Sequence, residues 1–147
     1  MTNTSCLIGL ELIGRLDLLQ GLFREVVTAP EVIEEFGSSP SWLVVRAPVD
    51  RECVGRLSLA LGLGESAAIC LARELGDCVL VLDDLRARRA ASVTGLEFVG
   101  RLALVASAKE HGLIELAAPL VRQMESKGFR VDERVANRAL ARVGEQF

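Results

Sequence analysis

The sequence has no tyrosine, a single histidine (His111) and a single tryptophan (Trp42), with aromatics at 4% of its 147 residues. One histidine cannot build a His cluster for a transition metal. It also leaves Ser-His-Asp and Cys-His nucleophilic sites without a plausible base, because Lys109-Glu110-His111-Gly112 reads as a helix end. The four cysteines (Cys6, Cys53, Cys70, Cys78) form no Cys-x-x-Cys pair and lack the close Cys/His spacing of zinc sites. Each lies among apolar residues, so they read as buried free thiols in a reducing cytosol. No apolar run approaches the roughly 18 residues needed to cross a bilayer, and no basic start leads into a secretory cleavage site. A cytoplasmic protein without a membrane partner is expected. A Walker-type phosphate loop is missing, and Gly62-x-Gly64 follows a helix instead of a strand, which removes the context of a dinucleotide fingerprint. The chemistry left to this chain is that of carboxylates.

What is present is a folding composition. Half of the residues are hydrophobic and a quarter charged, which excludes a disordered chain. The length fits one domain over residues 1–147. The net charge of −3 gives no bulk attraction to nucleic acid, so any such contact must come from a local patch. Of the 17 basic residues 15 are arginine, the side chain suited to bidentate phosphate contacts, although genomic base composition produces the same bias.

Hydrophobic periodicity predicts two short helices over Leu7–Leu22, broken at Gly14-Arg15, then a strand over Glu25–Ala29 and a helix from Pro30 to Phe36. Trp42–Val49 reads as an extended edge segment. Helices follow over Val54–Leu61 and Gly64–Leu75, a buried strand over Cys78–Leu82, a helix over Leu85–Val93 and a short strand over Leu96–Val99. Three helices close the chain, over Leu102–Glu110, Leu113–Ser126, where Pro119 is a candidate break near the start, and Glu133–Val143. Strands alternating with helices predict an α/β fold with a parallel sheet, in which ligands sit beyond the carboxyl ends of the strands. Asp83 and Asp84 fall there.

Two adjacent aspartates at the end of an apolar strand repel each other unless a cation compensates. One of them can serve as the N-cap of the following helix; the second is then left over for a metal. Arg86, Arg88 and Arg89 follow in the first turns of that helix, where cations oppose the helix dipole. They either pair with the aspartates or hold the phosphates of a polyanion. Glu65 is both a favourable first-turn acid and a candidate ligand, and Glu34-Glu35 closes the helix that starts at Pro30.

Taken in order, these segments resemble the PIN-domain superfamily, and more closely its uncharacterised bacterial and archaeal branch of short PIN-like proteins related to VapC-type toxins. The resemblance rests on Asn3-Thr4-Ser5-Cys6-Leu7-Ile8, Ala29-Pro30-Glu31-Val32-Ile33-Glu34-Glu35-Phe36, Leu63-Gly64-Glu65-Ser66-Ala67-Ala68-Ile69, Val81-Leu82-Asp83-Asp84-Leu85-Arg86 and the tail segments Ala108–Ile114 and Gly128–Val131. It implies a three-layer α/β/α sandwich with a central parallel sheet and C-terminal helices. It also implies a ribonuclease that hydrolyses phosphodiesters of single-stranded or structured RNA at a carboxylate-bound Mg²⁺ or Mn²⁺, of the toxin type with a small antitoxin partner, and a homodimer. Carried over residue by residue, the catalytic acids are Glu35, Glu65 and Asp84. The metal set is Asn3, Glu35, Glu65, Asp83 and Asp84, and Arg86 and Arg89, at i and i+3, are the candidates for RNA phosphates. Position 3 is usually Asp in active members; here Asn3 offers an oxygen without a charge. That departure favours the competing reading, a PIN-like binding or interaction protein with a decayed metal site. Only two residues precede Asn3, so the family's first strand must be very short here or begin upstream of the given start.

Overall fold

The computed structural model describes residues 1–147. In chain order the elements are α1 (Thr4–Leu12), α2 (Asp17–Leu22), β1 (Val26–Thr28), α3 (Pro30–Phe36), β2 (Leu43–Val45), α4 (Arg51–Leu57) and α5 (Leu63–Leu75). There follow β3 (Val79–Val81), α6 (Leu85–Val93), β4 (Glu97–Val99), α7 (Arg101–Glu110), α8 (Ala118–Ser126) and α9 (Glu133–Ala141). The chain divides into two compact units, one of Met1–Leu7 with Glu25–Val99 and one of Ile8–Arg24 with Gly100–Phe147. No helix is long and apolar enough to cross a membrane.

The first unit is α/β. Its strands are short and parallel: β1 pairs with β2, Val26 opposite Leu43, and β3 pairs with β4, Val79 opposite Glu97. The two pairs are joined by the first residues of the chain. Thr2 forms a parallel bridge with Val81, Met1 O accepts the Val81 N–H at 3.0 Å, and the Thr2 N–H donates to Val27 O at 3.1 Å. The Thr28 hydroxyl adds a bond to Thr2 O at 2.9 Å. The segment before Asn3 is thus a minimal strand lying between β1 and β3. Its bridge to Val81 sets Asn3 beside the end of β3, close in register to Asp83.

Packing explains why such short strands suffice. Val26, Val27, Leu80, Val81 and Leu82 are buried, as are Val32 of α3 and the run from Ser66 to Ala72 of α5. Burying a side chain such as Leu80 contributes about 1.5–3 kcal/mol. Ala67, Ala68 and Ala72 are helix formers small enough for a close approach, and Gly76 ends α5 with φ of 77°.

The second unit is helical, built on the buried Leu18, Leu19, Leu104, Val105, Val121, Met124 and Leu140. The expected helix over Leu113–Ser126 is shorter, because α8 starts at Ala118 with Pro119 in its first turn. There the missing N–H costs nothing. The open N–H groups of Ala117 and Ala118 are taken by the Glu145 carboxylate at 2.9 and 2.8 Å, and Lys109 Nζ joins it at 2.6 Å. Those bonds overcome the opposing effect of burial and hold the Glu145 carboxyl down at about 2.

One expectation is overturned. Cys53 of α4 and Cys70 of α5 are joined in a disulfide with Cα atoms 6.2 Å apart; only Cys6 and Cys78 lie outside a disulfide. The physical reason is the packing of α4 on α5, which brings two thiols 17 residues apart within bonding reach. Spacing along the chain carries no sign of such a pair.

Candidate metal centre

Four segments of the first unit bring the acids forward. Asn3 follows the N-terminal strand, is 2% exposed, and its Oδ1 accepts the Cys6 N–H at 3.0 Å. The amide therefore caps α1, a role for which Asn and Asp are equally suited. The next residue turns outward to the acids: the Thr4 hydroxyl donates to Glu35 Oε2 at 2.5 Å.

Glu35 stands in the last turn of α3, whose entry is set by Pro30 and whose exit is Gly37 in the left-handed region at φ 80°. Its other oxygen, Oε1, accepts the Gly64 N–H at 2.9 Å. Glycine leaves room for this contact: a Cβ at position 64 would lie 2.6 Å from Glu35 Oε2 and would displace the carboxylate from its present place. Gly64 is thus a place of close approach between a carboxylate and the first turn of α5, and its context is unlike a phosphate loop.

Glu65 is the next residue on α5. Its carboxyl is pushed up from the ordinary value, first by burial, then by the charges of Asp84 and Glu35. Glu65 of α5 therefore lies within electrostatic reach of Glu35 of α3 and of Asp84 at the start of α6. Asp84 caps α6, its Oδ1 accepting the Ala87 N–H at 3.0 Å, so the capping role is real. Asp83 lies 3.7 Å from Arg88 Nη2.

Of the three arginines, Arg88 is drawn into the fold: its Nε donates to Leu82 O at 2.8 Å and its guanidinium lies 5.6 Å from the Phe98 ring centre. Arg86 and Arg89 are exposed. Sequence reasoning missed Thr4 and Gly64, the two groups that hold Glu35. It also missed the pair of Glu31 and Arg51, with Arg51 Nη2 2.6 Å from Glu31 Oε1 and Glu31 Oε2 buried without a partner. Gly64 immediately before a first-turn acid was the one available signal.

As they stand, Glu35, Asp83 and Asp84 are turned to partners inside the protein, and no group of three or more His, Cys, Asp or Glu side chains is arranged to hold an ion. The donors nonetheless fit a hard divalent cation in kind. All are oxygens, and the mutual repulsion felt at Glu65 is what a cation relieves.

A family model described as a PIN domain matches residues 1–145. No curated protein matches the chain, and no solved structure does.

Proposed function

Because the chain belongs to the PIN-domain family, we propose that it is a metal-dependent ribonuclease of PIN type, with Glu35, Glu65 and Asp84 as its catalytic acids. The observation that carries this reading is the contact of Glu35 with the start of α5, where its Oε1 accepts the Gly64 N–H at 2.9 Å next to Glu65, whose carboxyl is raised by burial and then by the charges of Asp84 and Glu35. Glu65 has thus been placed within electrostatic reach of two acids from other elements, an arrangement that a bound cation would relieve. The α/β unit is taken as the family's three-layer α/β/α sandwich.

Mg²⁺ or Mn²⁺ would be held by Glu35, Glu65 and Asp84 with Asp83 beside them and Asn3 as a neutral contributor. When bound, the ion supplies an activated water and offsets charge on the scissile phosphate. The protein's part is positioning. Thr4 and Gly64 aim Glu35, the α6 cap fixes Asp84, and Arg86 and Arg89 receive the phosphates of a single-stranded or structured RNA. A cytoplasmic toxin paired with a small antitoxin, acting as a homodimer, is the setting in which this activity makes sense.

The test is cleavage of a labelled single-stranded RNA with Mn²⁺ and with a chelator. Asp84→Asn keeps the capping oxygen and removes the charge, so it separates chemistry from folding. Mn²⁺-dependent cleavage reduced on the order of a hundredfold in Asp84→Asn is expected, by the usual cost of losing one electrostatic group in an active site. One observation favours a binding protein with a decayed site: the Asn3 oxygen is committed to the Cys6 N–H. Calorimetry decides between the two, since a decayed site takes up no Mn²⁺ at millimolar concentration.

A further inference from the structure

The Cys53–Cys70 disulfide has surroundings that a plain staple does not need. Arg73, three residues beyond Cys70 on α5, donates from Nη1 to Cys53 Sγ at 3.4 Å. A cavity of about 170 Å³, space for several water-sized molecules, is lined by Asp50, Cys53, Cys70, Arg73 and Glu74; the two cysteines are buried, 3% and 1% exposed, while the three charged residues reach solvent. The two carboxylates in the cavity wall are already occupied. Asp50 accepts the Cys53 N–H at 3.0 Å, and Glu74 accepts the N–H groups of Val49 and Asp50 at 3.0 and 2.9 Å. Both carboxylates keep their charge, but they are turned to backbone N–H groups, and the charged group placed directly on Cys53 Sγ is the Arg73 guanidinium. A cation beside a disulfide does little; beside a thiol it favours the thiolate, the reactive form.

We propose that Cys53 and Cys70 are a peroxide-responsive dithiol–disulfide couple in which Cys53, beside Arg73, is the attacking thiolate and Cys70 the resolving thiol. In the reduced protein the Cys53 thiolate attacks one oxygen of hydrogen peroxide. The O–O bond breaks, hydroxide leaves and is protonated to water, and the sulfur, oxidised by two electrons, becomes a sulfenic acid. Cys70 then attacks that sulfur, its proton leaving with the hydroxyl as a second water, and the S–S bond forms. The return path needs a low-molecular-weight dithiol. Its thiolate opens the disulfide through a mixed intermediate, and its second thiol releases both cysteines as it closes to its own disulfide.

The loop closed by this bond runs from Cys53 to Cys70 and contains both Gly64 and Glu65. Oxidation therefore ties down the segment that carries two of the groups around Glu35, whether or not the site cuts RNA.

The experiment starts with protein reduced by dithiothreitol, desalted, and exposed to stoichiometric hydrogen peroxide, with non-reducing peptide mass spectrometry as the readout. The native protein is expected to be reduced without denaturant and then to re-form the Cys53–Cys70 link. Arg73→Gln should slow re-formation at neutral pH about tenfold, and Arg73→Lys should restore most of the rate. Cys70→Ser should leave a sulfenic acid on Cys53 that a dimedone probe captures, whereas Cys53→Ser should give none on Cys70. Reduction should lower the melting temperature by roughly 6–12 °C, the usual effect of opening a loop of this length. A bond that resists dithiothreitol until the protein is denatured would overturn the proposal and leave a structural staple. An unchanged rate in Arg73→Gln would overturn it too, and that comparison stands even where a cysteine variant fails to fold.

Discussion

Glu65 and Glu145 are both carboxylates placed against the start of a helix, one in each unit, and their surroundings push them in opposite directions. Glu145 receives two backbone N–H groups and the Lys109 ammonium, and its carboxyl is held at about 2. Glu65 is half-buried beside two other acids, and its carboxyl is raised. The first pattern is that of a structural acid, ionised and fully employed by the protein. The second is that of a group whose charge is unmet within the fold, which is how perturbed residues at functional sites come to stand out. Proximity to a helix N-terminus would favour both charges, so it is the remaining neighbours that separate them.

The largest effect that can sharpen this contrast is expected at Glu145. Glu145→Ala leaves the Ala117 and Ala118 N–H groups and Lys109 without their acceptor, and should cost about 2 kcal/mol, roughly 4–8 °C in melting temperature. Glu145→Gln retains an acceptor oxygen and should lose less. The pH dependence has the same origin. A carboxyl depressed in the folded state adds stability that is present above its ordinary value near 4.5 and is lost as pH falls towards about 2. Acid titration of the melting temperature should therefore show a fall across that window that is weaker in Glu145→Gln. Identical acid profiles for the two proteins would remove Glu145 from its structural role.

A smaller effect is expected at Asn3. Asp caps a helix as well as Asn does, so Asn3→Asp can keep the Cys6 contact while adding a charge next to the residue that holds Glu35. If position 3 faces the ion, Mn²⁺ affinity should rise about tenfold, which needs only about 1.4 kcal/mol. Equal affinities in calorimetry would mean that Asn3 serves the cap alone.

The sequence made much of this legible, for physical reasons that can be named. Pro30, Gly37, Gly76 and the apolar run Cys78–Leu82 punctuate elements through local backbone preferences, so α3, α5 and β3 were readable to within a residue or two. Pro119 was ambiguous because the same residue that breaks a helix interior is at home in a first turn, and α8 begins there. The N-terminal strand could not be read from its own residues, since Met1–Asn3 becomes a strand only by pairing with Val27 and Val81. The Cys53–Cys70 bond and the Glu31–Arg51 pair are likewise products of α-helices meeting, invisible to spacing rules. Glu35, Glu65 and Asp84 lie at element ends, in the last turn of α3, the first turn of α5 and the cap of α6. What spacing could not supply was their partners: Thr4 and Gly64 on Glu35, and the Ala87 N–H on Asp84.

The smallest expected effect is also the most direct test of the contrast. Glu65→Gln keeps the shape of the side chain and removes the charge on which Asp84 and Glu35 act. Without metal at neutral pH it should leave stability unchanged or raise it by about 0.5 kcal/mol, a modest figure because a half-buried carboxyl is screened by solvent. The sign follows from linkage. A carboxyl raised in the folded state means that the native protein binds its proton more tightly than the unfolded chain, so stability declines as pH rises from 4.5 through the folded value. Glu65→Gln should flatten that decline. Adding Mn²⁺ should then reverse the order, because an ion that binds only the native state stabilises wild type by mass action and gains less from the neutral variant. Melting curves of both proteins, with and without millimolar Mn²⁺, across pH 4 to 8 read out all of this. If Glu65→Gln is the less stable protein with no metal present, the Glu65 charge is held by the helix start after all, and it belongs with Glu145.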